Sequence, residues 1–333
     1  FLGRIATKAL IKDSFRLRKQ YNKYVNNNSK LDSFKINKPI FVMGFPRSGT
    51  TYLHNLLINS LGRDGLKFWE VTEPFPYFNN KNIDEKFRKF KTFTLLSLFK
   101  LFVPRVQLMH PVKINSFEEC WHLFKHSFSI YNLDFQFHFQ EFDRWVESDV
   151  MSKAYKEYSN IIKIISNNKK GRGLVLKCPE HMMFYDFIYD NFNKPYLIWI
   201  HRDPVKVISS YSSMIYHIQK FFLKKTNKKQ VGQFVSSRFH DMLNRAQDIR
   251  LNKDIPVFDI NYMDIKNSPQ ESIKKLAKKC NLDIVDNQSK IVKKLKSLKN
   301  RHSYSPEEFE INKDKVYHDF DYYIKTFNIE LEY

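Results

Sequence analysis

Residues 39–51 read Pro-Ile-Phe-Val-Met-Gly-Phe-Pro-Arg-Ser-Gly-Thr-Thr: a nearly continuous apolar run that meets a glycine, then a polar turn bounded by a second glycine. Apolar residues without alternation suit a strand buried on both faces, the habit of parallel sheets. From Thr50 onward the apolar positions recur with helical spacing, so the junction reads as strand, tight loop, helix. Backbone N–H groups at such a junction, together with the positive end of the helix, make a seat for an anion. Pro46, Arg47, Ser48, Gly49, Thr50 and Thr51 line that seat, with Arg47 as its cation and the two threonines as hydroxyl donors.

Working outward, residues 174–178 and 196–201 are two more buried-strand candidates, each leading into a helical pattern (182–192 and 205–222), and 256–260 is a fourth strand. Strands alternating with helices imply a parallel sheet joined by crossovers, hence an α/β fold: a three-layer, P-loop-like sheet flanked by helices. Residues 62–172 interrupt the alternation and are mostly helical and aromatic. Ligands of open α/β sheets bind beyond the carboxyl ends of the strands, so an insertion there is placed to form an acceptor pocket or lid. Residues 1–30 space Leu2, Ile5, Ala6, Leu10, Phe15 and Leu17 as an amphipathic helix. With no repeat and no Gly/Ser-rich or Pro-rich linker, 31–333 is expected to be a single domain carrying the helical insertion. Ser268-Pro-Gln-Glu271 is a capped helix start running through Lys279, and Ser305-Pro-Glu-Glu308 repeats the signal.

The 333 residues include 56 Lys+Arg against 35 Asp+Glu, a net +21 that favours an anionic ligand or surface, although lysine runs such as Lys224 to Lys229 and Lys293 to Lys299 also read as solvated faces. With 31 Phe and 18 Tyr the chain has ample material for a core and is not a disordered sequence. No aromatic-basic RNA motif or zinc-finger spacing is present, so nucleic acid is not expected. Cys120, Cys178 and Cys280 lack metal-ligand spacing and cannot build a disulfide framework, which favours a reducing, cytoplasmic setting. Because the chain begins with Phe1, an anchor or signal upstream stays open. No stretch is long and apolar enough for a membrane span, yet the basic, apolar segment 87–105 suits peripheral membrane contact as well as a lid. Nothing in the sequence sets an oligomeric state. Glu119, His122 and His126 share a helix face, but Trp121, Leu123 and Phe124 lie among them, so this reads as a packed helix and no metal is expected.

The glycine spacing of 44–51 is that of the nucleotide-kinase loop G-x-x-x-x-G-K-[ST], except that Thr50 stands at the lysine position. A kinase needs that lysine and Mg²⁺ against a γ-phosphoryl group of about two negative charges. A transferring sulfonate carries one, which amides and a side-chain cation can meet. The stretch VMGFPRSGTTYLHNLL resembles the phosphosulfate-binding motif of the sulfotransferases that use 3′-phosphoadenosine-5′-phosphosulfate (PAPS), in the PRSGTT form shared by protein-tyrosine sulfotransferases and many bacterial members. Ile200-His-Arg202-Asp-Pro-Val-Lys-Val-Ile-Ser-Ser210 resembles that family's 3′-phosphate motif, with Arg202 and Ser210 at its spacing. Phe68-Trp69-Glu70, Glu118-Glu119-Cys120, Leu176-Lys177-Cys-Pro-Glu-His181 and Tyr304-Ser-Pro-Glu-Glu-Phe309 continue the resemblance over roughly 36–327.

The resemblance implies PAPS as co-substrate, a small-molecule hydroxyl acceptor and a P-loop-like fold. It implies that Arg202 and Ser210 hold the 3′-phosphate, that Lys177 reaches the bridging oxygen of the donor, and that Glu70 is the base for the acceptor proton. His181 and, behind it, His110 are competing bases, because one branch of the superfamily uses histidine. The rival enzyme class is a P-loop kinase or nucleotide hydrolase, told apart by the missing loop lysine. The rival outside enzymes is a basic membrane- or nucleic-acid-binding module on the same scaffold.

Overall fold

Strands β1 (Ile40–Met43), β2 (Val175–Lys177), β3 (Tyr196–His201) and β4 (Val257–Asn261) form one parallel sheet in the order β2-β1-β3-β4. This is a computed structural model that describes residues 2–28, 34, 36–102, 111–137, 148–167, 169, 173–223, 225–285 and 304–333. In register, Val42 stands beside Lys177 on one side and Ile198 on the other. Successive residues serve opposite faces: Phe41, Met43, Leu176, Leu197 and Trp199 join one buried cluster, whereas Ile40, Val42, Val175, Ile198 and Ile200 join the other. That two-sided burial is why the strands read as unbroken apolar runs rather than alternations.

Among the described residues the helices are α1 (Leu2–Asn26), α2 (Thr50–Ser60), α3 (Phe68–Thr72), α4 (Lys81–Phe102), α5 (Leu133–Phe137), α6 (Ser148–Ser166), α7 (Tyr185–Asn191), α8 (Pro204–Phe222), α9 (Lys228–Asn252), α10 (Tyr262–Asn267), α11 (Pro269–Lys279), α12 (Lys313–Asp319) and α13 (Asp321–Thr326). Apolar residues of α2, α10 and α11 cover one face of the sheet, and those of α6, α8 and α9 contribute to the cluster on the other. The result is the three-layer α/β arrangement expected. From β1 the chain leaves toward β2, and from β3 it leaves toward β4, so the connections part between β1 and β3. At such a switch point the loops diverge and open a crevice beyond the carboxyl ends of the strands.

Local details differ from expectation. The helix anticipated over 182–192 is a 3-10 turn at Pro179–Met183 followed by α7, because Phe184 between them leaves helical geometry at φ −141°. Ser268 precedes α11 without a side-chain cap, and its carbonyl accepts from Ser272 N (3.0 Å) instead. The second start signal yields only the 3-10 turn Glu307–Phe309, closed by Glu310 at φ 50°. All three cysteines are free and buried. Lys228 and Lys229 pair with Glu308 and Glu310 at the surface; Lys224 and Lys293 to Lys299 lie outside the described residues. Among the described residues no helix is long and apolar enough to cross a membrane.

A charged cluster ties α1 to the insertion. Glu157 on α6 accepts from Arg18 Nη1 (2.8 Å) and pairs with His126 Nε2 (2.9 Å), and Arg18 Nε donates to the His126 carbonyl (3.0 Å). Burial alone would raise the Glu157 carboxyl, but His126 and Arg18 outweigh it and hold it down at about 2. A carboxyl depressed in the folded state contributes stability above its unfolded value, and this is lost as pH falls through the folded one. Glu157→Gln is therefore expected to lower stability by about 1–3 kcal/mol at neutral pH. In denaturant titrations that gap should close between the ordinary glutamate range and about pH 2; a gap that persists there would show that Glu157 acts through packing alone.

Candidate active site

The loop between β1 and α2 is shaped by two glycines. Gly44 has φ 140°, and a Cβ there would lie 2.5 Å from the Ile200 carbonyl oxygen; Gly49 has φ 100°, and its Cβ would lie 2.6 Å from the Tyr262 ring. Any larger residue would collide with fixed neighbours while holding a conformation that side chains disfavour. Arg47 itself sits at φ 72°, a strained state that persists when the surroundings over-determine it. Here Ser48 N donates to the Phe45 carbonyl (3.1 Å), and Arg202 Nη1 donates to the Arg47 carbonyl (3.0 Å). α2 begins without a side-chain cap, so its first N–H groups face the loop. The Ser48 hydroxyl is buried there without a hydrogen-bond partner among the described residues.

Arg47 Nε donates to Ser210 Oγ (3.1 Å), which links the loop after β1 to α8 after β3. The start of α8 is held by Asp203, whose Oδ1 accepts from Val205 N (2.7 Å) and Lys206 N (3.3 Å). The structure thus brings Arg47, Arg202 and Ser210 together beyond the carboxyl ends of β1 and β3, at the switch point. Burial, and after it the neighbouring Arg202, lowers the Arg47 guanidinium, with Tyr304 acting against them. Two guanidinium groups that act on one another favour an anion near them. Arg202 has an anion within the chain: Nε and Nη2 donate to the two carboxylate oxygens of Glu332 (2.5 and 2.8 Å), and the guanidinium lies 3.9 Å above the Tyr262 ring. Burial works against its charge, but the Glu332 bond outweighs it and the group is raised.

Lys177 enters from β2 on the other side of β1. Its Nζ donates to Glu119 Oε1 (2.6 Å) and Thr51 Oγ1 (3.2 Å), with the side chain only 1% exposed. Burial acts to discharge the ammonium, but Glu119 and Glu118 more than compensate and raise it. Glu180 lies in the same acidic neighbourhood, accepts from Cys178 Sγ (2.8 Å) and is pushed up by burial and by Glu119. Below the loop, His54 Nε2 meets the Val175 carbonyl (2.9 Å), and burial and Lys177 push the imidazole down to about 3, leaving it neutral.

Glu70 is on α3, near the insertion's return past the sheet. Its Oε2 accepts from Lys67 N (2.7 Å) and Lys169 Nζ (2.9 Å), while Oε1 has no partner among the described residues. Capping and an ion pair therefore engage one oxygen only. His181 does not reach the crevice. The 3-10 turn after β2 directs it into the core among Phe41, Phe124 and Tyr158, where its Nδ1 bonds the Tyr155 hydroxyl (2.8 Å) and burial pushes it down to about 3. An imidazole so placed is a weak, sealed base, and His181 is better read as a packing residue. His110 lies outside the described residues. His122 stacks on Trp121 at 3.6 Å, and His126 is engaged by Glu157.

Sequence reasoning singled out Glu119 for its helix face and within the family-like stretch Glu118-Glu119-Cys120, and missed its contact with Lys177; it missed Tyr262 and Glu332 altogether. Tyr262 follows β4 directly, as Arg202 follows β3, so position beyond a strand's carboxyl end was the available signal. Glu332 carries no such signal.

A family model described as "Sulfotransferase family" matches residues 39–286. The fold is similar to the crystal structure of sulfotransferase STF9 from Mycobacterium avium, with TM-score 0.84 and 19% identity over 99% of this chain and 87% of that one. It is also similar to sulfotransferase STF1 from Mycobacterium tuberculosis H37Rv, with TM-score 0.76 and 20% identity over 96% and 86% of the two chains. At these identities the likeness is one of fold. No curated protein matches.

Proposed function

The chain belongs to the sulfotransferase family, and from that premise we propose that it moves a sulfonate group from PAPS to a hydroxyl of a small-molecule acceptor, leaving adenosine 3′,5′-bisphosphate. The observation that carries this reading is the joining of Arg47, Arg202 and Ser210 in one crevice, through Arg47 Nε to Ser210 Oγ (3.1 Å) and Arg202 Nη1 to the Arg47 carbonyl (3.0 Å). Two cations from the ends of neighbouring strands suit a ligand with phosphate at both ends. The orphaned Ser48 hydroxyl and the uncapped start of α2 fit its phosphosulfate end. Pro46, Gly49 and Thr50 shape that seat. Arg202 and Ser210 face the 3′-phosphate, for which a planar guanidinium offers paired donors.

In the reaction the acceptor oxygen attacks sulfur in line with the bridging oxygen, the new S–O bond forming as the old one breaks. The bonding electrons of the old bond leave with the phosphate, and the acceptor proton passes to a carboxylate. Lys177, beside Thr51, stabilises charge growing on the leaving oxygen, and Arg47 with the loop amides steadies the sulfonate. Glu70, through its unengaged Oε1, is the base in this reading. A second reading, favoured by the 2.6 Å contact with Lys177, gives that part to Glu119. A P-loop kinase is the weaker assignment, since Thr50 replaces the lysine such chemistry needs.

The test is transfer of labelled sulfonate from PAPS to a panel of phenols, sterols, long-chain alcohols and glycans, run in EDTA. Turnover of at least one acceptor is expected, with Glu70→Gln reducing it by about 10²–10⁴-fold. Undiminished turnover in Glu70→Gln together with loss in Glu119→Gln would pass the base to Glu119. Absence of transfer to every acceptor, with Mg²⁺-dependent ATP turnover instead, would overturn the proposal.

A further inference from the structure

Helix α4 is built inside out. The positions it turns to the protein recur every four residues and are mainly polar: Asp84, Arg88 and Thr92, then Leu96, all buried. Each polar member has a partner. Asp84 Oδ1 accepts from Tyr77 N (2.6 Å), Arg88 Nε donates to the Glu73 carbonyl (2.6 Å) with its guanidinium 4.6 Å over the Trp69 ring, and the Thr92 and Thr72 hydroxyls bond at 3.0 Å. The outward face is apolar, with Phe90 67%, Phe93 55%, Leu95 50%, Leu98 50% and Leu101 73% exposed. A surface helix ordinarily turns such a face to the core. Packing cannot explain it here, because the polar side is the one that packs.

The charges around this face are mostly positive. Lys81, Lys86 and Lys100 are exposed and make no ion pair among the described residues, while Glu85, the exposed acid of the helix, is met by Lys89. A groove of about 470 Å³ runs beside α4, lined by Phe93, Leu96, Lys100 and Lys113 among others, so apolar and cationic groups meet in one depression. We propose that α4 is an interfacial helix that docks the protein on an anionic lipid surface, its phenylalanines and leucines entering the acyl boundary and its lysines meeting headgroup phosphates. The helix is not apolar enough to span a bilayer, and its 22 residues, about 33 Å long, would lie in the interface plane. Charge favours lipid over a second copy of the chain: two molecules of net +21 repel on approach, whereas an anionic membrane attracts each of them. The inference is independent of which acceptor is sulfonated.

The experiment is co-sedimentation with phosphatidylcholine vesicles, with and without phosphatidylglycerol. Wild type is expected to bind the anionic vesicles at least about tenfold more tightly than the neutral ones. Phe90→Asp with Leu98→Asp should weaken that binding at least about tenfold and leave the thermal midpoint in place, because both positions are already in solvent. Lys86→Glu with Lys100→Glu should reduce the preference for the anionic lipid while keeping the fold. No binding to either vesicle, equal binding to both, or binding unchanged in the Phe90/Leu98 variant would overturn the proposal. So would a wild-type dimer, seen by sedimentation equilibrium, that the same variant makes monomeric, since the face would then belong to a second copy.

Discussion

Replacing Lys177 by methionine is expected to lower kcat for sulfonate transfer by about 10²–10³-fold, the usual loss when a donor aimed at developing charge is removed. Methionine keeps most of the apolar stem, so the side chain still fills its place under the loop. What disappears is the ammonium that reaches Thr51 Oγ1 at 3.2 Å and Glu119 Oε1 at 2.6 Å. The variant also strands a half-buried carboxylate, and breaking a buried pair from one side costs about 3–5 kcal/mol at most where solvent is excluded. Lost stability and lost chemistry must therefore be separated. The double variant Lys177→Met/Glu119→Gln removes both charges, and its thermal midpoint should return toward wild type while kcat stays low. A single variant whose kcat stays within about threefold of wild type would remove Lys177 from the reacting groups.

The second large effect is expected on nucleotide binding. Arg202→Ala should weaken adenosine 3′,5′-bisphosphate by about 10²-fold in isothermal titration, since truncating one side of a hydrogen-bonded charge pair commonly costs several kcal/mol. Glu332→Gln should act in the opposite direction. Its carboxylate holds Arg202 by two bonds, of 2.5 and 2.8 Å, so an incoming phosphate has to displace it, and the neutral amide competes less well. The pair of results is diagnostic. Tightening by Glu332→Gln with weakening by Arg202→Ala places the phosphate on that guanidinium. An affinity indifferent to both changes would mean that Arg202 is a structural clamp on the segment carrying Glu332, and the two-ended grip would have to be abandoned.

The strands were legible because burial on both faces leaves a simple trace: Ile40–Met43 and Tyr196–His201 are apolar nearly throughout, and each is followed by residues whose chemistry suits a turn. Arg47 could be found because its turn follows a buried strand, and a loop there is delivered to the carboxyl edge whatever else the fold does; Arg202 and Ser210 came from the resemblance of their motif. His181 shows the limit. Four residues after Lys177 it looked placed for the crevice, but a single 3-10 turn rotates it into an aromatic core. α4 shows another: the basic, apolar character of 87–105 is plain in the sequence, whereas the choice of face depended on Glu73, Trp69 and Thr72, which only the folded chain sets against it.

The order of residues by itself determined the parallel α/β sheet and the glycine-bounded turn after β1, because periodicity and local turn chemistry depend on neighbours along the chain, and the resemblance of its motifs pointed to the family. Tertiary structure alone decided that Glu119 sits on Lys177, that Glu332 occupies Arg202, and that α4 shows its apolar side to solvent. The two ion pairs join residues distant in sequence, and the face of α4 is set by partners on other segments; the energies that select them, charge against charge at low dielectric and buried polar groups against their partners, exist only once the chain has closed.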